Sequence, residues 1–269
     1  MSDSSTATVH VDLRLPVEQS GALVTSLAVA ASLDVDETLT ALGEEGPARV
    51  EPVVLPHGTR LHRVEAPEGD LHLTYEATVR LPPGPTHEVT DAERFTYVLP
   101  SRYCPSDLVG GFAAAELAGG TEAETARRVM AWIHERTAYA PGTTGATDDA
   151  LTPLHTASGV CRDFAHLGVT LCRALGMPAR YVSVYAPGLD PMDAHAVVEV
   201  AVDGTWRVFD PTRLAPRESL VRIGTGRDAA DVAVTTPLGA VLGPPEFEVT
   251  ATVSPDLPHD DPEALVSLA

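Results

Sequence analysis

Residues 159–167 read GVCRDFAHL, and the sequence predicts that a helix begins within this stretch, at Cys161. Gly176 is typical of the residue that follows a helix, and Pro178 prevents further helical turns. Between these limits apolar residues recur at helical spacing and form one stripe, at Phe164, Leu167, Leu171 and Leu175. The stretch therefore places a thiol in the first turn of a helix.

Cys161 occupies a position that favours thiol chemistry. The N-terminus of a helix carries partial positive charge and unpaired N–H groups, which favour the thiolate and can donate hydrogen bonds to an oxyanion. Cysteine is also among the residue types most often buried in a core, so Cys161 taken alone would be structural more often than catalytic. Its meaning therefore depends on the side chains that the fold brings near it.

Three strands are predicted after this helix, at residues 179–185, 194–202 and 205–210. Asp203 and Gly204 separate the last two strands, and this pair of residues is typical of a two-residue hairpin turn. The register of the hairpin then follows from the turn alone.

The hairpin is expected to bring His195 close to Asp210. If Val202 faces Thr205, then Val197 faces Asp210, and His195 becomes the diagonal neighbour of Asp210 on the same face. Diagonal Cα atoms lie roughly 7–8 Å apart, which an imidazole and a carboxylate can bridge. A shift of one residue in register would place the two side chains on opposite faces.

Cysteine, histidine and aspartate in this order are the residue types of a nucleophile, its base and the group that orients the base. Other readings remain open for each partner. His195 could be a strand histidine with satisfied hydrogen bonds, and Asp210 could simply begin a turn before Pro211.

The remaining titratable residues near Cys161 are assigned lesser roles. Asp163 lies in the first helical turn, where a carboxylate stabilises the helix dipole and can support the site from behind the reacting groups. His166 lies on another side of the helix and is predicted to be structural. Cys172 lies about 16 Å further along the helix, so one metal ion cannot bind both cysteines. No spacing typical of zinc, calcium or phosphate sites appears, and no cofactor or metal is predicted.

The composition describes an acidic globular protein. The 269 residues carry a net charge of −20, with 44% hydrophobic and 21% charged residues, so nucleic acid is not an expected partner. Three cysteines are too few for a secreted disulfide scaffold. The apolar run at residues 22–33 is too short to span a bilayer, so no membrane partner is expected and the predicted location is cytoplasmic. No oligomeric state is predicted.

Three regions are predicted along the chain. Residues 1–85 form a β-rich N-terminal domain, because residues 9–15 and 71–79 alternate between apolar and polar side chains and a proline-rich breaker follows at 81–85. Residues 86–253 form a catalytic domain, in which a capping box at Thr121 begins an earlier helix. Residues 254–269 form an acidic, proline-rich tail that is expected to be loosely attached.

Most of the chain resembles the transglutaminase-like superfamily of papain-like cysteine enzymes, and in particular its bacterial members with a β-rich N-terminal region. The matching stretches are residues 101–104, 159–167, 173–183, 193–200, 206, 209–212 and 226–232. The resemblance implies an α+β fold in which the nucleophile helix packs on an antiparallel sheet. It also implies Cys161 as nucleophile, His195 as base and acid, Asp210 as the orienting group, and Tyr139 as a residue that binds substrate or the oxyanion.

The implied activity is acyl transfer or amide hydrolysis through a thioester on Cys161. The substrate would be a peptide, a protein or a small amide, with or without an amine as second substrate. The same fold allows a cysteine protease, or an amide synthase that acts on carrier-bound acyl groups. A further alternative is a binding module without enzymatic activity.

Overall fold

A computed structural model describes residues 5–82 and 86–268. The domain boundary predicted at residues 81–85 falls on the gap between these ranges, and its residues 83–85 lie outside the description. Five α-helices occur within the described ranges: α1 (Asp91–Thr96), α2 (Gly110–Leu117), α3 (Glu122–Arg136), α4 (Leu151–Thr156) and α5 (Cys161–Ala174).

The described strands form four sheets. In chain order they are β1 (Ser5–Gln19), β2 (Gly21–Thr25), β3 (Asp34–Gly43), β4 (Gly46–Pro47), β5 (Val50–Val54), β6 (Arg60–Ala66), β7 (Gly69–Leu81), β8 (Ala138–Tyr139), β9 (Ser158–Gly159), β10 (Ala179–Tyr185), β11 (His195–Val202), β12 (Thr205–Phe209), β13 (Val221–Gly226), β14 (Thr235–Leu238), β15 (Val241–Leu242) and β16 (Glu246–Ser254).

The N-terminal region consists of two antiparallel sheets around one apolar core. The larger sheet has the order β15-β1-β7-β3-β4, with β16 also paired to β1, and the smaller one has the order β14-β2-β6-β5. Strand β1 turns Val9, Val11 and Leu13 into the core, while the alternate residues Thr8 and His10 are exposed. The alternation in the sequence arises because only one face of this sheet is buried, and the predicted β-rich N-terminal region is confirmed.

The last strands of the chain return to the N-terminal sheets. Strand β16 pairs with β1 from Thr6 opposite Ser254 to Arg14 opposite Glu246, and β14 pairs with β2. The division into domains stays a prediction. However, β14 and most of β16 lie within residues 86–253, the predicted catalytic domain, and yet they pair with strands of the N-terminal sheets. The difference arises because long-range strand pairing depends on partners distant in the sequence.

The second part of the fold is a four-stranded antiparallel sheet of order β12-β11-β10-β13, with α5 packed against it. A Cβ atom on Gly168 would lie 2.9 Å from Val198 of β11 and 3.3 Å from Met130 of α3. The small residue therefore lets α5 approach the sheet and α3 closely at the same point. This arrangement confirms the predicted α+β fold with a central helix on an antiparallel sheet.

The predicted hairpin is present in the predicted register. Val202 pairs with Thr205, and Asp203 and Gly204 both have positive φ, at 49° and 76°, as a type I′ turn requires. Aspartate tolerates this left-handed conformation better than most residues, and glycine adopts it without strain.

The C-terminal segment differs from the loose tail that the composition suggested. Residue Val208 of β12 donates its N–H to the carbonyl of Val266, and Leu268 is buried. The buried guanidinium of Arg217 donates to the Asp260 carboxylate at 3.0 Å and to the Ala264 carbonyl at 3.2 Å. The segment is attached because it provides the oxygen acceptors that a buried arginine needs.

Candidate active site

Cys161 is the first residue of α5, as predicted, and its side chain is partly exposed. Its thiol donates to the carbonyl of Ala194 across a sulfur–oxygen distance of 3.6 Å. Ala194 directly precedes β11. The start of the helix and the start of this strand therefore meet at the sulfur atom.

Asp163 binds the backbone that leads into α5. Its Oδ2 accepts hydrogen bonds from the Val160 N–H at 2.8 Å and from the Thr144 hydroxyl at 2.6 Å, and the side chain is buried. A Cβ atom on Gly159 would lie 2.6 Å from the Cβ of Asp163. A larger residue at position 159 would therefore collide with the side chain of Asp163, whatever the turn itself requires.

His195 and Asp210 form a hydrogen-bonded pair, with His195 Nε2 2.8 Å from Asp210 Oδ2 and both side chains almost fully buried. The contact predicted from the hairpin register is thereby confirmed. Asp210 directly follows β12, so the pair connects the first residue of β11 to the end of its neighbouring strand.

The electrostatics of the pair favour an imidazolium next to a carboxylate. Burial alone would lower the pKa of His195, but the charge and hydrogen bond of Asp210, with a smaller contribution from Cys161, raise it to about 10. Burial would likewise raise the pKa of Asp210, but the His195 ring and the hydrogen bonds from Thr212 lower it below its usual value. Each charge is therefore stabilised by the other.

The second ring nitrogen of His195, Nδ1, is not used by the Asp210 carboxylate. Nδ1 has no partner that meets hydrogen-bond geometry within residues 5–82 and 86–268. Hydrogen bonding to Cys161 is nevertheless among the causes that raise the pKa of His195. Cys161, His195 and Asp210 are thus brought together in the predicted order, although their catalytic roles stay a prediction.

Tyr139 lies beside the cysteine at the exposed side of the site. It pairs with Gly159 in the short parallel ladder of β8 and β9, and its ring centroid lies 6.0 Å from that of Phe164. Burial and the neighbouring Cys161 raise the pKa of Tyr139 to about 12, so its hydroxyl stays protonated at neutral pH and can act as a donor. Sequence reasoning placed this residue only in a loop.

Two residues of α5 that were predicted to lie outside the site do so. His166 is fully buried, stacks on Tyr103, and accepts the Ala229 N–H at Nε2. Burial lowers the pKa of His166 to about 3, so the ring is neutral. Cys172 is buried, and burial raises the pKa of its thiol to about 12.

Thr144 and Thr212 were missed by sequence reasoning. Both reach the site from loops, and each binds a carboxylate, Thr144 that of Asp163 and Thr212 that of Asp210. A threonine two residues after a turn aspartate is a local signal that could have identified Thr212. No comparable signal existed for Thr144. Among the described residues no group of three or more His, Cys, Asp or Glu side chains could hold a metal ion.

Comparison with known proteins relates this site to a family. A sequence model of the transglutaminase-like superfamily matches residues 113–211, which include the cysteine, the histidine and the aspartate. The crystal structure of a candidate cysteine protease from Cytophaga hutchinsonii superposes with a TM-score of 0.85 and 30% identity, over 98% of this chain and 96% of that one.

Two mycobacterial proteins, both called uncharacterized, are also similar. The one from Mycobacterium leprae is 32% identical over 173 residues, which cover 60% of this chain and 62% of that protein. The one from Mycobacterium tuberculosis is 34% identical over 161 residues, which cover 54% of this chain and 46% of that protein. The chain therefore spans about half to six-tenths of the length of these relatives.

No helix within the described ranges is long and apolar enough to cross a membrane.

Proposed function

Because the chain belongs to the transglutaminase-like superfamily, we propose that it catalyses acyl transfer or amide hydrolysis through a thioester on Cys161. The observation that carries the proposal is the buried pair of His195 and Asp210, joined at 2.8 Å, which leaves one imidazole nitrogen for the thiol. A base oriented by a carboxylate beside a cysteine at a helix N-terminus is the arrangement that activates a thiol.

In the first step the sulfur of Cys161 attacks the carbonyl carbon of a carboxamide. The carbonyl oxygen becomes an oxyanion while His195 keeps the proton taken from the thiol. When the C–N bond breaks, His195 transfers this proton to the departing nitrogen, so that ammonia or an amine leaves and the thioester remains. Asp210 stabilises the imidazolium throughout, which its depressed pKa supports.

Tyr139 is proposed to help stabilise the oxyanion. Its hydroxyl is protonated and lies beside Cys161, and Cys161 is itself the first residue of α5, where helix N–H groups lack partners within the helix. Such donors act in the transition state, in which the negative charge develops. Asp163 is proposed to hold this first turn in place through Val160 and Thr144.

In the second step a nucleophile resolves the thioester, and its identity separates the possible activities. An amine gives a new amide and water gives an acid, with His195 accepting the proton of the attacking group in both cases. We propose a peptide, protein or small amide as the acyl donor. The name of the Cytophaga relative favours a cysteine protease as the second candidate.

The proposal is tested with a glutamine-containing peptide, incubated with and without a fluorescent primary amine. Amine incorporation or ammonia release supports acyl transfer or amide hydrolysis, whereas cleavage of the peptide backbone without incorporation supports the protease. Cys161→Ala must abolish either reaction, and Cys172→Ala serves as the matched control because that thiol is buried away from the site. Equal turnover by wild type and Cys161→Ala would contradict the proposal.

We further propose a reducing, cytoplasmic location. All three cysteines carry free thiols, and a thiol nucleophile is best preserved where disulfides do not form. Fractionation of cells that express the full-length protein with a C-terminal tag tests this, and recovery in an exported fraction would contradict it.

A further inference from the structure

The turn that follows β12 surrounds the free oxygen of the Asp210 carboxylate. Asp210 Oδ1 accepts the backbone N–H of Thr212 at 2.9 Å and the Thr212 hydroxyl at 2.7 Å. The hydroxyl oxygen in turn accepts the N–H of Leu214 at 3.3 Å. The result is a short directed chain of hydrogen bonds from Leu214 through Thr212 to the carboxylate that holds His195.

We infer that Thr212 is a positioning residue, whose hydroxyl fixes Asp210 so that its other oxygen is held toward His195. The inference rests on the proposed function of the Cys161 site and assigns Thr212 no contact with the substrate. Thr212 acts through Asp210, and Asp210 acts through the imidazole ring.

The direction of the hydroxyl follows from its own acceptor. Because an ionised carboxylate can only accept, the Thr212 hydroxyl donates its proton to Asp210 Oδ1, and its oxygen accepts the Leu214 N–H. Both Thr212 and Asp210 are buried, with 6% and 7% of their surface exposed, so water is poorly placed to replace a lost donor. An oxygen held by two donors cannot exchange places with Oδ2, which remains with His195.

The backbone of the turn does not depend on the hydroxyl. The Arg213 N–H donates to the Asp210 carbonyl at 3.2 Å, and His134 Nδ1 of α3 lies 3.1 Å from the Pro211 carbonyl. These contacts remain when the hydroxyl is removed. A valine at position 212 therefore removes one charge-assisted hydrogen bond while the size of the side chain and the path of the chain are retained.

The experiment measures the rate at which iodoacetamide alkylates Cys161 as a function of pH. Mass spectrometry of the intact protein and of its peptides establishes which cysteine carries the label. Thr212→Val removes the hydroxyl, Thr212→Ser restores it, and Thr212→Ala is a second variant without it in case the valine does not fold. Thr170→Val is the matched control, because Thr170 is a fully buried threonine on α5, nine residues from Cys161. Thermal unfolding establishes that each variant is folded.

Thr212→Val is expected to shift the lower limb of the rate profile upward by roughly one pH unit, since a hydrogen bond to a charged group is worth about one pKa unit or more. A less stabilised imidazolium loses its proton earlier, so the thiolate forms only at higher pH. At a pH on the rising limb of the wild-type profile, alkylation should be about tenfold slower. Thr212→Ala should show the same shift, while Thr212→Ser and Thr170→Val should follow wild type.

The inference is overturned if folded Thr212→Val and Thr212→Ala follow the wild-type profile, or if folded Thr212→Ser shifts as far as they do. The failure of the proposed function looks different. In that case wild-type Cys161 reacts no faster at any pH than the same thiol in the urea-unfolded protein.

Discussion

Strand β11 carries two buried ionisable side chains, His195 and Glu199, which differ in how completely their polar atoms are used. Glu199 is fully buried between two arginines: its Oε1 accepts from Arg222 at 2.7 Å, and its Oε2 accepts from Arg180 at 2.7 Å and from Arg222 at 2.9 Å. These charges lower the pKa of Glu199 to about 2 although burial would raise it. Both oxygens are satisfied, and none remains for a substrate.

His195 is as deeply buried but is only half satisfied by the protein. Its Nε2 is bound to Asp210, while Nδ1 has no partner that meets hydrogen-bond geometry among the described residues. Both side chains are buried and both have a shifted pKa, so neither property separates the two ion pairs. What separates them is that one nitrogen of His195 stays without a full partner in a ring whose pKa Cys161 also raises, whereas both oxygens of Glu199 are bound by arginines.

Asp210→Asn is expected to have the largest effect on reactivity. The amide keeps the size of the side chain but cannot balance an imidazolium, so acylation of Cys161 by p-nitrophenyl acetate should slow by roughly 10²- to 10⁴-fold. The rate is measured by release of nitrophenol, with circular dichroism to establish the fold. An unchanged rate in a folded variant would remove Asp210 from the site.

Glu199→Gln is the matched change in the cluster of Glu199, Arg180 and Arg222. It should lower the free energy of unfolding and leave the reactivity of Cys161 unchanged. It leaves two arginines around a neutral group, and breaking a buried ion pair costs about 3–5 kcal/mol. Urea unfolding measures the loss, and the acylation rate of the folded fraction should equal that of wild type. A large loss of reactivity without loss of stability would show that the two clusters are coupled.

The His195–Asp210 pair and the Glu199 cluster should contribute to stability with opposite dependences on pH. The pKa of His195 is raised from 6.5 to about 10, so the stability it contributes is complete below pH 6.5 and is lost as the pH rises toward 10. The pKa of Glu199 is lowered from 4.5 to about 2, so its contribution is complete above pH 4.5 and is lost on acidification.

Urea unfolding of wild type and His195→Gln at a series of pH values measures this difference. The free energies of unfolding of the two proteins should converge between pH 6.5 and about 10. A constant difference across that range would mean that His195 is neutral in the folded protein.

Gly159→Ala should give the smallest effect. The new Cβ would meet the Asp163 side chain at 2.6 Å, so the carboxylate must move and its bond to Val160 is weakened. We expect a loss of about 1–3 kcal/mol in unfolding free energy and a slower acylation rate. Gly110→Ala is the control, because no heavy atom lies within 4 Å of its added Cβ. If the two variants had equal unfolding free energies and acylation rates, the backbone before α5 would tolerate a shift of Asp163.

The pairing of His195 with Asp210 could be predicted from the sequence because its geometry is local, whereas the position of Cys161 beside it was implied only by the family resemblance. The turn at Asp203 and Gly204 alone sets the register of β11 and β12, and this register places His195 diagonally from Asp210. The first turn of α5 is similarly local, since a glycine before it and a following stripe of apolar residues define where Cys161 begins the helix.

The remaining features depend on long-range contacts that no local pattern encodes. The pairing of β16 with β1 joins opposite ends of the chain, and the acidic C-terminal segment is held by the buried Arg217. The contact of Thr144 with Asp163 likewise joins a loop to a helix. In each case the polar residues looked solvated in the sequence, and only the fold supplies the partners that bury them.

The central claim is that Cys161, activated by His195, forms a thioester. Its most direct test is to mix the protein with p-nitrophenyl acetate, quench in acid within the first turnover, and locate the acetyl group by mass spectrometry. We predict one acetyl group on Cys161 in wild type, none at this position in Cys161→Ala, and far slower labelling in His195→Gln. Acetylation of other residues alone, or equal labelling of Cys161 in His195→Gln, would contradict the claim.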